Sequence, residues 1–187
     1  MTNPAHCAST MTIWTIGHSK RLIEEFLGLL AQYDIQTIAD VRRLPGSRKH
    51  PQFDQQALAA ALATRGIGYA WLETLGGRRR ASADSPNTAW RNTAFRGYAD
   101  YMSSSAFAHG LDELLVVARA SRTVLMCAEA VWWRCHRSLI ADALCVRGTE
   151  VVHILDNKHT TVHPMTQPAR IVDGRLTYAA PKQQALL

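Results

Sequence analysis

The sequence TVLMCAEAVWWRCHRSLIADALCV, residues 123–146, predicts a buried strand, a loop and a helix in immediate succession. The apolar run TVLM leads into Cys127, and the triplet Cys135-His136-Arg137 opens a stretch with apolar residues at helical spacing. Strand-to-helix junctions are common ligand-binding places in α/β proteins. The chain therefore gathers several chemically capable side chains at one predicted junction.

The length and composition are those of one globular domain. With 187 residues, 47% of them apolar and 19% charged, the chain is long enough to bury a substantial core. We expect a tail over residues 1–11, a single domain over 12–187, and a family-like core over about 14–156. No apolar run is long enough to cross a bilayer, so no membrane association is expected.

Cysteine usage and the N-terminus predict a cytoplasmic protein. Residues 1–11 show neither the charged region nor the apolar region of an export signal. Cys7, Cys127, Cys135 and Cys145 form no Cys-x-x-Cys pair, which favours free thiols in a reducing compartment.

Strand-like and helix-like stretches alternate along the chain. Ser19 and Asp54 are the predicted N-caps of two helices. The strands are expected at 12–17, 35–41, 68–73, 123–126 and 150–155, and helices at 54–65, 95–102 and 107–119, besides those after Ser19 and after residue 134. This alternation predicts a single doubly wound, Rossmann-like and mainly parallel sheet of about five strands, with helices on both faces. Asp173-Gly174 predicts a C-terminal β-hairpin over 169–178.

The carboxyl ends of parallel strands lie along one edge, where ligands bind in this fold class. We expect the helix opened by Cys135 to begin at the same edge, with either Cys135 or Ser138 as its cap. The polar residues at the predicted strand ends are His18, Ser19, Asp40, Arg42, Glu73, Cys127, Glu129 and Asp156.

Cys127 and Cys135 are the candidate nucleophiles. A helix N-terminus and nearby Arg side chains lower the pKa of a thiol and favour the thiolate. A phosphatase-like Cys-x5-Arg loop is excluded, because it requires Arg at position 133, which is Trp133. Glu129 could act as an acid or base, or could pair with Arg134 or Arg137 to shape the loop.

Two basic loops indicate an anionic partner. Residues 42–49 and 76–80 are rich in arginine, and the net charge is +6. A solvated basic surface is the plain alternative. Because both loops follow predicted strands, we expect them to rise beside the site and to bind a phosphate-containing ligand, nucleic acid above all.

No cofactor is predicted. Cys127, Cys135, His136 and His18 supply ligand types that suit zinc. However, Cys-x7-Cys is not a zinc-knuckle spacing, and adjacent Cys135 and His136 would point apart on a helix. Zinc is thus only a minor alternative.

Several separate motifs resemble those of the domain-of-unknown-function family 488. They are TIGHS at 15–19, DVRRLPGSR at 40–48, LGGRR at 75–79, FRGYADYM at 95–102 and CAEAVWWRCHRSLIADAL at 127–144. The resemblance implies a bacterial or archaeal cytoplasmic α/β domain and implies no particular reaction. The family's recurrent residues map onto His18, Ser19, Asp40, Arg42, Pro45, Ser47, Cys127, Glu129, Cys135, His136 and Arg137.

These observations favour an enzyme that acts on a phosphate-containing ligand by thiol chemistry. The alternatives are a nucleic-acid-binding module without catalysis and a thiol redox or metal site. The expected catalytic residues are Cys127, Glu129, Cys135, His136 and Arg137. The expected anion-binding or substrate-binding residues are His18, Ser19, Asp40, Arg42, Ser47, Arg78 and Arg79.

Overall fold

The computed structural model describes residues 11–46 and 48–181. The predicted tail residues 1–10 and Ser47 lie outside the described residues. The elements, in chain order, are β1 Thr12–Gly17, α1 Ile23–Gln32, β2 Thr37–Asp40, α2 Gln55–Ala63, β3 Gly68–Trp71, α3 Thr93–Tyr101, α4 Ser105–Ala120, β4 Thr123–Cys127, α5 Arg137–Val146, β5 Glu150–Ile154, β6 Thr160–Val162, β7 Arg170–Val172 and β8 Arg175–Thr177.

The described residues form a six-stranded sheet of order β3-β2-β4-β1-β5-β6 and a separate β7-β8 hairpin. Within the six-stranded sheet, neighbouring strands run parallel except at the edge strand β6, which is antiparallel to β5. The mainly parallel sheet and the C-terminal hairpin are thereby confirmed. The sequence did not reveal β6, because its three residues are too short to show a periodic pattern.

Helices cover both faces of the sheet, as predicted for a doubly wound fold. On one face α1 and α2 pack their apolar side chains, such as Phe26 and Leu58, against Ile38. On the other face α4 and α5 contribute residues such as Leu114 and Leu144 to a second core. None of the helices formed by the described residues has the length and apolar character needed to span a membrane.

The chain leaves β1 and β4 in opposite directions. After β1 it passes through α1 to β2, whereas after β4 it passes through α5 to β5 on the other side of β1. Such a reversal between neighbouring parallel strands opens a crevice at their carboxyl ends. Gly17 pairs in register with Cys127, so these two residues mark the carboxyl ends of the two strands.

One predicted helix cap is wrong and one is confirmed. Ser19 has a positive φ of 51° and lies in a turn, and α1 begins only after Leu22, which forms no side-chain cap. Asp54 caps α2 as predicted, accepting a hydrogen bond from the Gln56 N–H.

A buried hydrogen-bonded chain attaches the C-terminal segment to α5. Thr15 bonds His153 at 2.6 Å, His153 bonds His163 at 2.9 Å, and His163 bonds the Asp142 carboxylate at 2.9 Å. The Tyr178 hydroxyl donates to the same carboxylate at 2.8 Å. Because buried polar groups need such partners, Asp142 fixes where β6 and the hairpin segment lie.

Replacing His153 should flatten the acid sensitivity of the fold. Burial, together with His163 and Arg137, lowers the pKa of His153 to about 3. Between the ordinary histidine pKa of about 6.5 and that value, only the unfolded chain binds the proton, so stability falls by about 1.4 kcal/mol per pH unit as the pH falls. We expect His153→Gln to reduce this slope in urea unfolding between about pH 7 and about pH 5.

The control is His109→Gln, since the His109 side chain is 71% exposed. It should leave the slope unchanged. Equal slopes in wild type and His153→Gln would contradict a neutral buried His153.

Candidate functional site

A cavity of about 360 Å³ opens at the carboxyl end of β4, between the loop that follows β2 and the side chains of α3. Its floor carries the thiols of Cys127 and Cys135. The rest of the lining comprises Arg42, Arg43, Leu44, Gly77, Arg78, Asn92, Ala94, Phe95, Tyr98, Ala128, Glu129, Arg134 and His136.

The two thiols come together from different elements. Cys127 is the last residue of β4 and is 7% exposed, and Cys135, which is 2% exposed, lies two residues before α5. Their sulfur atoms and a ring nitrogen of His136 all lie within 4.8 Å of one another. Among the residues that the structure describes, these three form a group that could hold a metal ion.

His136 has a fixed orientation in this cluster. Its Nε2 donates to the Val41 carbonyl at 3.1 Å, since a carbonyl can only accept, and its Nδ1 lies 3.7 Å from the Cys135 sulfur. Gly77 packs against the ring, where a Cβ would lie 2.8 Å from Nδ1. A side chain at position 77 would therefore displace the His136 ring.

The two thiols have opposite pKa shifts. The hydrogen bond to Cys135, followed by burial, raises the pKa of Cys127 well above its ordinary value. Burial also acts to raise the pKa of Cys135, but the hydrogen bond from Cys127 and the nearby His136 and Arg137 lower it well below the ordinary value. These opposite directions are the ones expected when the Cys127 thiol donates a hydrogen bond to the Cys135 sulfur.

The helix start differs from both predicted placements. His136, rather than Cys135 or Ser138, is the capping residue of α5, and it makes no side-chain cap. Cys135 has extended backbone angles, φ −126° and ψ 145°. The expectation that the Cys135 and His136 side chains point apart is therefore wrong, because the helix begins after both.

Arg137 supports the loop from behind the cavity. It is 1% exposed, and its guanidinium donates to the carbonyls of Glu129 at 2.7 Å and Ala130 at 3.4 Å. The Glu129 carboxylate makes no ion pair among the described residues and is exposed at the cavity wall. Arg137 thus binds the Glu129 main chain, and the carboxylate faces the ligand space.

Arg42 and Asp40 form a buried ion pair beside the cavity. The Arg42 guanidinium donates twice to the Asp40 carboxylate, at 2.6 Å from Nη2 and 2.9 Å from Nε, and Tyr69 donates to it at 2.7 Å. Arg42 also donates to the Phe53 carbonyl at 2.7 Å. Most of the hydrogen-bonding capacity of Arg42 is therefore used within the protein, although the side chain still borders the cavity.

His18 lies on the far side of this ion pair. It stacks on Phe53 with ring centroids 4.2 Å apart, donates from Nδ1 to the Ser19 carbonyl at 3.0 Å, and faces Arg42 with Nε2 at 3.5 Å. Burial and the Arg42 charge lower the pKa of His18 to about 4. Neither His18 nor Asp40 lines the thiol cavity.

The other predicted binding residues are divided between the cavity and its surroundings. Arg78 borders the cavity, whereas Ser19 does not. Arg79 donates to the carbonyls of Gly76 and Thr74 and covers the Tyr101 ring at 3.7 Å, so it braces the loop.

Sequence reasoning missed part of the cavity wall. Phe95, Tyr98 and Asn92 face it from α3 and the residue that caps that helix. The motif FRGYADYM contains both aromatic residues, but its helical spacing does not distinguish a side chain that lines a cavity from any other helical residue. The Tyr98 hydroxyl donates to the Leu75 carbonyl at 2.7 Å, which ties the wall to the Gly76-Gly77 loop.

Arg42→Met should destabilise the fold strongly, because it leaves the buried Asp40 carboxylate without its cation. Breaking one partner of a buried ion pair costs about 3–5 kcal/mol, which urea unfolding measures. Arg43→Met is the neighbouring control. Among the described residues, the exposed Arg43 side chain donates only to the Arg78 carbonyl, so its loss should cost about 1 kcal/mol or less. Equal losses in the two variants would contradict a structural role for Arg42.

A family described as "Domain of unknown function DUF488" matches residues 22–144. The matched region runs from the start of α1 to near the end of α5. It includes the loop that contains Arg42, Gly77, and the segment from Cys127 to His136. No curated protein and no solved structure matches the chain. The matched region covers most of the sequence and confirms the resemblance in the sequence motifs: the chain belongs to the DUF488 family.

Proposed function

We propose that the protein is an enzyme that acts on a phosphate-containing ligand, a nucleotide or nucleic acid, by thiol chemistry in this cavity. One observation carries the proposal. The paired thiols of Cys127 and Cys135 and the exposed arginines Arg78 and Arg134 border the same 360 Å³ space. A nucleophile and a set of anion-binding groups thus face one ligand volume.

In the proposed site, Cys135 is the reacting thiolate. Cys127 donates a hydrogen bond to it, which stabilises the charge in a buried setting. His136 and Glu129 are the groups placed to move protons, His136 through the nitrogen beside the Cys135 sulfur and Glu129 through its exposed carboxylate. Arg137 is a positioning residue, because it holds the loop carbonyls and not the ligand.

Anion binding is assigned to the arginines at the cavity mouth. Arg78 and Arg134 are exposed, and their side chains form no hydrogen bond or ion pair within the described part of the chain. Guanidinium groups suit phosphate oxygens because they bind them through two parallel hydrogen bonds. Arg42, committed to Asp40, is better suited to supporting the cavity wall.

The aromatic wall favours a ligand with a base as well as a phosphate. Phe95 borders the cavity and stacks on Trp90, with centroids 4.7 Å apart. Aromatic side chains beside a basic groove are the usual means of binding unpaired bases.

A buried pair of free thiols also favours the reducing conditions of the cytoplasm, which is the location we propose.

The first test is protection of Cys135 against alkylation. Iodoacetamide should modify Cys135 in the chelator-treated protein, and a nucleoside monophosphate or a short single-stranded oligonucleotide should slow that reaction. Removing an arginine that contacts phosphate should weaken protection about 10-fold or more. We therefore expect Arg134→Gln and Arg78→Gln to need more ligand, with Arg170→Gln, on the hairpin, as the control.

The second test is turnover, followed by the mass of the ligand after incubation. Cys127→Ser and Cys135→Ser should fold and bind the ligand but leave it unchanged, whereas Cys145→Ser, on α5 away from the cavity, should convert it like wild type. Conversion by Cys135→Ser at the wild-type rate would rule out thiol chemistry. Protection without conversion by the wild type would establish a binding module instead.

A further inference from the structure

The geometry points to a binding site for a soft divalent cation, zinc by its choice of ligands, formed by Cys127, Cys135 and His136 with its fourth position open to the arginine-lined cavity. This inference goes beyond the proposed function and does not depend on the reaction. It depends on four features of the cluster, which are the distances, the orientation of His136, the number of ligands and the local charge.

The distances suit tetrahedral coordination. With metal–sulfur bonds of about 2.3 Å and metal–nitrogen bonds of about 2.0 Å, neighbouring ligand atoms of a tetrahedral zinc lie about 3.5–3.8 Å apart. The Cys135 sulfur and His136 Nδ1 are 3.7 Å apart, and all three ligand atoms are within 4.8 Å of one another. A cation could therefore enter with only a small movement of the Cys127 side chain.

His136 already has the orientation of a metal ligand. Histidine ligands usually donate their second ring N–H to a carbonyl or carboxylate, which fixes the tautomer. Here Nε2 donates to the Val41 carbonyl, which leaves Nδ1, the atom beside the Cys135 sulfur, as the ring nitrogen that can bind a cation. Gly77 leaves room next to this atom, because any side chain there would meet it.

The number of protein ligands indicates an open site. Structural zinc sites use four protein ligands, whereas catalytic sites use three and leave the fourth position to water or substrate. The described residues provide two sulfur atoms and one nitrogen, and Glu129 is not part of the group. Since all three residues line the cavity, the fourth ligand would be water or an oxygen of a bound anion.

Binding of the cation changes the protonation of the two cysteines. The cation binds both sulfurs as thiolates, so the Cys127 proton is released to solvent and the sulfur lone pairs are occupied. The divalent cation balances the two thiolates, so the positive charge of the nearby Arg137 guanidinium is left without a partner. A loaded site therefore also protects Cys135 from alkylation.

The test is titration of the chelator-stripped protein with Co²⁺, followed by its absorption spectrum. We expect one equivalent to produce a thiolate-to-cobalt charge-transfer band with visible bands of tetrahedral cobalt, and Zn²⁺ to displace it. Cys127→Ser and Cys135→Ser should each lose part of the charge-transfer intensity. His136→Ala removes a ligand itself, so it should weaken cobalt binding by at least the roughly 10–100-fold that is lost when a residue supporting a metal ligand is replaced. Cys145→Ser is the matched control and should bind like wild type.

Alkylation of the wild-type protein gives an independent readout that needs no variant. One equivalent of Zn²⁺ should slow the reaction of Cys135 with iodoacetamide and leave Cys145 unaffected. Absence of a cobalt–thiolate band from the folded wild type, or a band of undiminished intensity in Cys135→Ser, would overturn the metal site. Neither result would bear on ligand protection by phosphates, so the two proposals fail separately.

Discussion

The parallel pairing of β1 with β4 is the constraint on which the site depends. Pairing continues past the strand ends, where His18 N–H donates to the Cys127 carbonyl at 3.0 Å and Ser19 N–H to the Ala128 carbonyl at 2.9 Å. A Cβ at Gly17 would lie 1.8 Å from the Glu129 carbonyl oxygen, so the loop after β4 rests directly on the β1 main chain. Arg137 then binds that loop from α5, and the floor of the cavity is held from two directions.

The fold could be predicted from the sequence because its strands and helices follow local sequence patterns. The strand positions followed from short β-branched runs, and the parallel order from their alternation with helices. The prediction failed where tertiary contacts override local pattern. Ser19 looked like a cap but lies in a turn held by β4, and β6 exists because its backbone pairs with β5. Neither contact leaves a signal in the neighbouring residues.

The site was predictable to a smaller extent. The resemblance and the strand ends both selected Cys127, Glu129, Cys135 and His136, and these do meet at one cavity. What the sequence could not show is how each side chain is used. Asp40 and Arg42 look equally suited to a ligand or to each other, and only the 2.6 Å contact between them shows that they pair. The position of the helix start, one residue past His136, likewise decided whether Cys135 and His136 diverge or converge.

Charge in the buried floor connects the proposed reaction with the proposed metal. Arg137 is 1% exposed, and its Nε has no hydrogen-bond partner among the described residues, so a nearby anion is needed to offset it. In the proposed reaction, a single thiolate on Cys135 supplies that charge while Cys127 keeps its proton. Two thiolates with a divalent cation would instead leave Arg137 uncompensated, and an anion in the fourth position would restore neutrality. A phosphate oxygen drawn in by Arg78 and Arg134 has the charge to fill that position, so cation and phosphate ligand should strengthen each other's binding.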